Sequence, residues 1–207
     1  MHRIELDADC SLIHWRSWLD HESANALFEC LKTELEWEQR SVWLFGKWVP
    51  QPRLIAWYGD LSYRYSGLTL SARPEPSCAK GWLARVSAEA NRALDLEAEA
   101  AIGFNHVLLN HYRDGKDSMG WHSDAEAELG SDPPVASLSL GAPRDFLLKP
   151  RKDPKAPSIC VELGPGDLLL MAGATQHRYV HAVPKRAARS GERISLTFRR
   201  LLRDAAH

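Results

Sequence analysis

Two side chains in the stretch Met119-Gly120-Trp121-His122-Ser123-Asp124-Ala125-Glu126 have the types and spacing to do chemistry together. His122 and Asp124 are two positions apart, so an extended backbone sends both to the same face. An imidazole beside a carboxylate makes two thirds of the set that binds ferrous iron: two histidines and one carboxylate, with the remaining positions open for a cosubstrate and oxygen. A lone His-x-Asp arises readily by chance in an acidic loop, so its meaning depends on a second histidine. His177, His181 and His207 lie downstream, and position alone does not choose among them.

The last run of the chain bears on the open positions. In Arg193-Ile194-Ser195-Leu196-Thr197-Phe198-Arg199 the odd positions share one face of a strand and the apolar ones the other. Two arginines on one face are costly to bury unless an anion meets them, and a guanidinium fork binds a carboxylate bidentately. A dicarboxylate chelating iron at one end would use such groups. The same run also reads as the solvent face of an edge strand, and at this level both readings stand.

These residues need elements to hold them. From residue 102 onward, short apolar runs (GFNHVLLNHY, VASLSLG, DFLLK, SICVEL, DLLLM, RYVHAV, RISLTFRR) alternate with turn signals, which indicates a β-sandwich or jelly-roll barrel. Residues 11–15 (SLIHW) read as a strand. A helix follows, with Ala26, Leu27, Cys30, Leu31 and Leu35 at helical spacing and Asp20 or Ser23 as its cap. The segment SVWLFGKWVPQPRLIAWYGD reads as a hairpin turning through Phe45-Gly46-Lys47. Phe45, a large apolar residue beside a turn glycine, either folds back into a core or stands out as a wedge that inserts between bases. Tyr63 and Tyr65 share a face of the next extended run. After the Pro-rich SARPEPS, a second helix carries Trp82, Val86, Ala90 and Leu94 on one stripe. The expected architecture is α+β in one domain spanning 1–207: helices and hairpins over about 1–100, a β core over about 101–207.

Composition narrows the function classes. With 207 residues, 44% hydrophobic and 26% charged, the chain has enough apolar content for a core and is not a disordered one. A net charge of −1 provides no global basic field, so any nucleic-acid surface must be local. Cys10, Cys30, Cys78 and Cys160 are scattered without a CxxC pair, which in sequence suggests neither a zinc site nor a disulfide framework. No apolar stretch approaches the roughly 18 residues of a membrane span, and the start lacks a signal-peptide pattern. The expectation is a soluble monomer in a reducing compartment, the cytoplasm of a bacterium or the nucleus of a eukaryote.

At this point many ordered blocks coincide with one family. FGKW, PR, YGD, Y-x-Y-SGLTLS, FN-x-VL-x-N-x-Y-x-DG, H-x-D-x-E, S-x-S-x-G, GDLLLM, YVHAVP and RI-x-LTFR run in order from about Phe45 to Arg199. The chain resembles the AlkB family of iron- and 2-oxoglutarate-dependent dioxygenases, in its DNA-repair branch. The resemblance implies a double-stranded β-helix (jelly-roll) core with a nucleotide-recognition lid, and His122, Asp124 and His181 as the iron ligands. It implies that Asn110 and Tyr112 help hold 2-oxoglutarate, that Arg193 binds its distal carboxylate and that Arg199 serves the end near the metal. Thr197 lines the same pocket, and Ser195 stands where asparagine is frequent. Tyr65 matches an aromatic that stacks on a flipped base, with the His122 ring on the other side. Tyr63, Ser66 and Glu126 match positions near the base edge, and Phe45 the finger that fills the gap in the duplex. Lys47, Arg53, Arg64, Arg144, Arg151 and Lys152 are candidate phosphate contacts. The activity implied uses Fe(II), 2-oxoglutarate and O2 for oxidative removal of N-linked methyl groups, with 1-methyladenine and 3-methylcytosine in DNA as the lesions. Alternatives are the same chemistry on RNA or a protein side chain, or a β-barrel binding module without catalysis.

Overall fold

The computed structural model describes residues 1–44, 46–65, 68–186 and 190–202. Phe45, Ser66 and His207 lie outside the described residues, as do the side chains of Arg64 and Tyr65.

Fifteen strands and three α-helices follow one another among those residues. β1 (His2–Asp7) and β2 (Cys10–Trp15) precede α1 (His21–Glu34). The hairpin β3 (Ser41–Leu44) and β4 (Lys47–Pro50) leads to β5 (Leu54–Gly59), and a second hairpin pairs β6 (Tyr63–Tyr65) with β7 (Leu68–Leu70). After α2 (Trp82–Leu94) come β8 (His106–Tyr112), β9 (Met119–His122), β10 (Val135–Gly141), β11 (Arg144–Pro150), β12 (Ile159–Leu163) and β13 (Leu168–Gly173). A single helical turn, α3 (Thr175–Arg178), precedes β14 (Tyr179–Val183) and β15 (Arg193–Arg199).

Eleven of these strands form two antiparallel sheets. The large one has the order β1-β2-β13-β10-β15-β8-β5 and the small one β12-β11-β14-β9, the two layers of a jelly roll. Side-chain parity separates two cores. Ile13, Leu138, Leu168, Leu170, Ile194, Leu196 and Phe198 pack outward against α1 and α2. Leu12, Val135, Leu169 and Met171, one residue out of phase on the same strands, pack inward on Phe146, Leu148 and Val161 of the small sheet. Burial on both faces explains why DLLLM and VASLSL read as nearly continuous apolar runs rather than alternating ones.

The helices are as expected in place, with one shift. Asp20 is the N-cap of α1 and accepts from the Ser23 N–H at 2.9 Å. The buried stripe, however, is Ala24, Leu27, Phe28 and Leu31, so Ala26 faces solvent and Cys30 is only half-buried. On α2, Val86 and Ala90 are buried as the spacing predicts.

Candidate active site

Strand register assembles one wall of a cavity between the sheets. On β15, Arg193 lies opposite Tyr112, and Ser195 opposite Asn110 of β8; on the other side Ser195 meets Ser139 and Thr197 meets Ser137 of β10. Residues directly opposite share a face, so all of these point inward, and all but Ser139 line one cavity with Arg199. β15 is central in its sheet, and Arg193 and Arg199 are 1% and 2% exposed. The reading of this run as a solvent face is thereby overturned.

The small sheet supplies the opposite wall. His181 on β14 pairs directly with His122 on β9, the ring centroids 4.2 Å apart, and Asp124 follows just beyond β9. One donor atom from each of His122, Asp124 and His181 falls within 4.8 Å of the others. The geometry also decides between histidines. His177 sits on the turn α3, where its Nε2 accepts from the Asp132 N–H at 3.2 Å, away from the cluster. The Nδ1 of His122 donates to the Gly120 carbonyl at 2.8 Å, which leaves Nε2 with its lone pair toward the cluster.

The charge states suit a cation. Burial, and then the neighbouring His122, depress His181 to about 3. Burial likewise lowers His122, against the pull of Asp124. Burial opposes ionisation of Asp124, but Arg199 and the two histidines more than offset it and hold the carboxyl at about 2. At neutral pH the cluster is two neutral imidazoles and one carboxylate, a donor set that fits ferrous iron.

Arg199 crosses between the layers, its Nη2 2.7 Å from Asp124 Oδ1. From the other side, Gln176 Oε1 accepts the Asp124 backbone N–H at 3.0 Å, while its Nε2 faces Met171 Sδ at 3.3 Å. Gln176 is wholly buried and carries no motif, so sequence reading missed this orienting contact. Arg193 donates from Nη2 to Ser139 Oγ at 2.8 Å, whereas its Nε and Nη1 are buried with no hydrogen-bond partner among the described residues. A buried guanidinium in that state is expensive unless an anion completes it. Its fork is the right shape for a carboxylate. Asn110 Oδ1 accepts from Arg53 Nε at 2.7 Å, leaving its amide nitrogen for the cavity. The Tyr112 ring lies 5.3 Å from both the Arg144 and the Arg193 guanidinium carbons.

The sequence profile of the 2OG-Fe(II) oxygenase superfamily matches residues 11–199. Among curated proteins, the chain is 38% identical over 194 residues to the alpha-ketoglutarate-dependent dioxygenase alkB homolog 3 of Mus musculus, and 37% identical over 191 residues to the DNA oxidative demethylase ALKBH2 of Homo sapiens. The chain belongs to the AlkB family of 2OG-Fe(II) oxygenases. Those matches cover 90% and 86% of this chain, but 65% and 69% of the two relatives. The fold is that of the solved OsALKBH1 structure, with a TM-score of 0.62 at 17% identity over 91% of this chain and 97% of that one. The AlkB family takes Fe(II) and 2-oxoglutarate, in keeping with the His122/Asp124/His181 cluster and the incomplete Arg193 fork.

The face toward a substrate is less uniform. Tyr63 is buried, its ring beneath the Arg199 guanidinium and its hydroxyl near the Glu126 carboxylate. Burial, and then the Asp124 charge, raise the Glu126 carboxyl. His106 packs edge-on to Tyr63 with ring centroids 5.0 Å apart and is pushed down to about 3 by burial and by Arg199; nothing in its sequence context had marked it. One proposed phosphate contact is corrected. Arg144 is buried and donates to the carbonyls of Asp114, Asp117 and Pro184, so it secures a loop. Arg53 is 3% exposed, buttresses Asn110 at the border of the cavity and also lines the open groove beside His122. Arg151 holds Ser123 and the Gln176 carbonyl, while Lys47 and Lys152 are exposed. Trp57 belongs to the core, but Trp43 and Trp48 are 59% and 65% exposed. Val42, Trp43, Val49, Gly120 and Trp121 line an open groove that ends at His122.

Proposed function

We propose that this protein removes N-linked methyl groups from bases of alkylated DNA by oxidation, with 1-methyladenine and 3-methylcytosine as its substrates. The observation that carries the reading is one cavity with two complementary halves: the His122/Asp124/His181 cluster on the small sheet and the unsatisfied Arg193 fork on the large one.

His122, Asp124 and His181 would hold Fe(II), and Arg193, helped by Ser139, Asn110 and Tyr112, would hold 2-oxoglutarate by its distal carboxylate. Bound there, iron with 2-oxoglutarate and O2 supplies the oxidising power to hydroxylate an N-methyl carbon, whose hemiaminal then releases formaldehyde. The protein's own tasks are orientation and exclusion of water. Arg199 keeps Asp124 ionised and turned toward the cluster. Glu126, beside Tyr63, would accept a hydrogen bond from the exocyclic amino group shared by adenine and cytosine. A stacked base cannot reach a metal between two sheets, so the substrate base is extruded into the groove beside His122, flanked by Tyr65. Ser195 and Thr197 complete the cosubstrate wall, and Phe45 and Ser66 serve the nucleotide.

The test is incubation with iron, 2-oxoglutarate and oligonucleotides carrying 1-methyladenine, in single- and double-stranded form. Succinate and formaldehyde should appear in equal amounts and be absent with His181→Ala. Wild-type output at the His181→Ala level would sink the enzymatic reading. Succinate formed equally well with an unmethylated oligonucleotide would sink the nucleotide reading while leaving the iron chemistry.

A further inference from the structure

A second group of metal-ligating side chains lies on the outer side of the large sheet, where α1 meets the turn Ser77–Ala79. Cys30 and Glu34 are four positions apart on α1 and share a helix face; Cys78 comes from the turn. One donor atom of each, two sulfurs and a carboxylate oxygen, lies within 4.8 Å of the others. The Glu34 carboxylate also accepts from Ser77 Oγ at 3.0 Å, which ties α1 to the turn. All three donors therefore converge on one spot that the cavity chemistry does not use. Scattered spacing in the sequence had argued against any such site; the fold brings the two cysteines together.

We propose that Cys30, Cys78 and Glu34 form a second, structural metal site for a zinc-like divalent cation, with water in the fourth position. Two thiolates and a carboxylate favour a borderline-soft tetrahedral ion over magnesium or calcium, which take all-oxygen shells. Binding replaces the two thiol protons with the cation and releases them to solvent. A cation there would offset the crowding of negative charge that two thiolates and a carboxylate bring together. The clip fastens α1 to the segment entering α2, the two helices that cover the outer core.

Cobalt(II) titration of the reduced full chain tests this, because only sulfur ligands give a near-ultraviolet sulfur-to-cobalt charge-transfer band and the His122/Asp124/His181 cluster has none. One equivalent of sulfur-ligated cobalt is expected. The band should persist in His122→Ala and Cys160→Ser and vanish in Cys30→Ser and Cys78→Ser, with circular dichroism confirming that each variant is folded. Zinc should raise the Tm of His122→Ala but not of the double variant His122→Ala/Cys78→Ser. A folded wild type that shows no band at saturating cobalt overturns the site, as does a band that survives Cys78→Ser. Recovery of a Cys30–Cys78 disulfide by peptide mapping of protein isolated with zinc would also overturn it.

Discussion

The cavity walls and the β3–β4 hairpin are both antiparallel β-structure, yet they are held by different means. In β15 three of the four inward residues are each followed by an outward one packed in a core: Arg193 by Ile194, Ser195 by Leu196, Thr197 by Phe198. Slipping that strand by one residue would bury the arginines against the helices, so its register is fixed by the cost of exposing the wrong face. Among the described residues the hairpin has no third strand, and its Trp43–Trp48 cross-strand pair stands in solvent with ring centroids 5.4 Å apart. A two-stranded ribbon is marginal alone. Chemistry that needs fixed distances sits where burial enforces register, and the hairpin, on the proposed nucleotide side, sits where little constrains it.

The contrast can be broken most forcefully at Arg193. Arg193→Ala should raise the half-saturating concentration of 2-oxoglutarate by roughly 30-fold or more, about 2 kcal/mol or above for a truncated buried charge pair, while iron binding measured by calorimetry stays intact. An unchanged 2-oxoglutarate dependence would remove Arg193 from that role. Five residues along, the other face of β15 should report on stability instead. Phe198→Ala is expected to cost about 3–5 kcal/mol in urea unfolding, and a cost near zero would mean that the outer core does not hold the register.

A smaller effect belongs to Asp167, in the turn entering β13. Its carboxylate accepts from His14 Nε2 at 3.0 Å and from the backbone N–H groups of Ser17 and Gly164 at 2.8 and 2.9 Å. Burial opposes its ionisation, but these bonds hold its pKa below the ordinary value. Because the folded pKa lies below the unfolded one, near 3.9, the contribution is complete above about pH 4 and lost as the pH falls through the folded value. Asp167→Asn should therefore cost about 1–3 kcal/mol at pH 7, with the gap to wild type closing below about pH 4; a pH-independent gap would refute the linkage. The smallest stability effect is expected in the hairpin. Trp43→Ala and Trp48→Ala should each change unfolding free energy by no more than about 0.5 kcal/mol. They should lower turnover on methylated oligonucleotides without altering the 2-oxoglutarate requirement. Loss of folding in either would erase the contrast between the regions.

Most strands of the core could be located from the sequence, because alternation, turn residues and caps are local signals. Asp20 capping α1 and the two-faced pattern of Arg193–Arg199 are of this kind. The stripe on α1 was misjudged by a residue or two, since Ala26 and Cys30 fit a helical period as well as Ala24 and Phe28 do, and only the sheet beneath chooses. Motif resemblance singled out the three candidate ligands, but the roles of Phe45, Tyr65 and Ser66 remain proposals from that resemblance. No comparable signal marked Gln176 or His106, or showed that Arg144 and Arg53 are buried.

What the sequence determined by itself is therefore periodic: which residues of MGWHSDAE and of RISLTFR share a face, and that an imidazole and a carboxylate leave one strand together. Tertiary structure decided which faces meet. It closed His122 on His181 across β9 and β14, carried Arg199 from the opposite sheet to Asp124, and brought Cys30 beside Cys78. Each of these joins residues far apart in the chain. Their proximity follows from the layer that buries each apolar face, a property of the whole fold that no local pattern encodes.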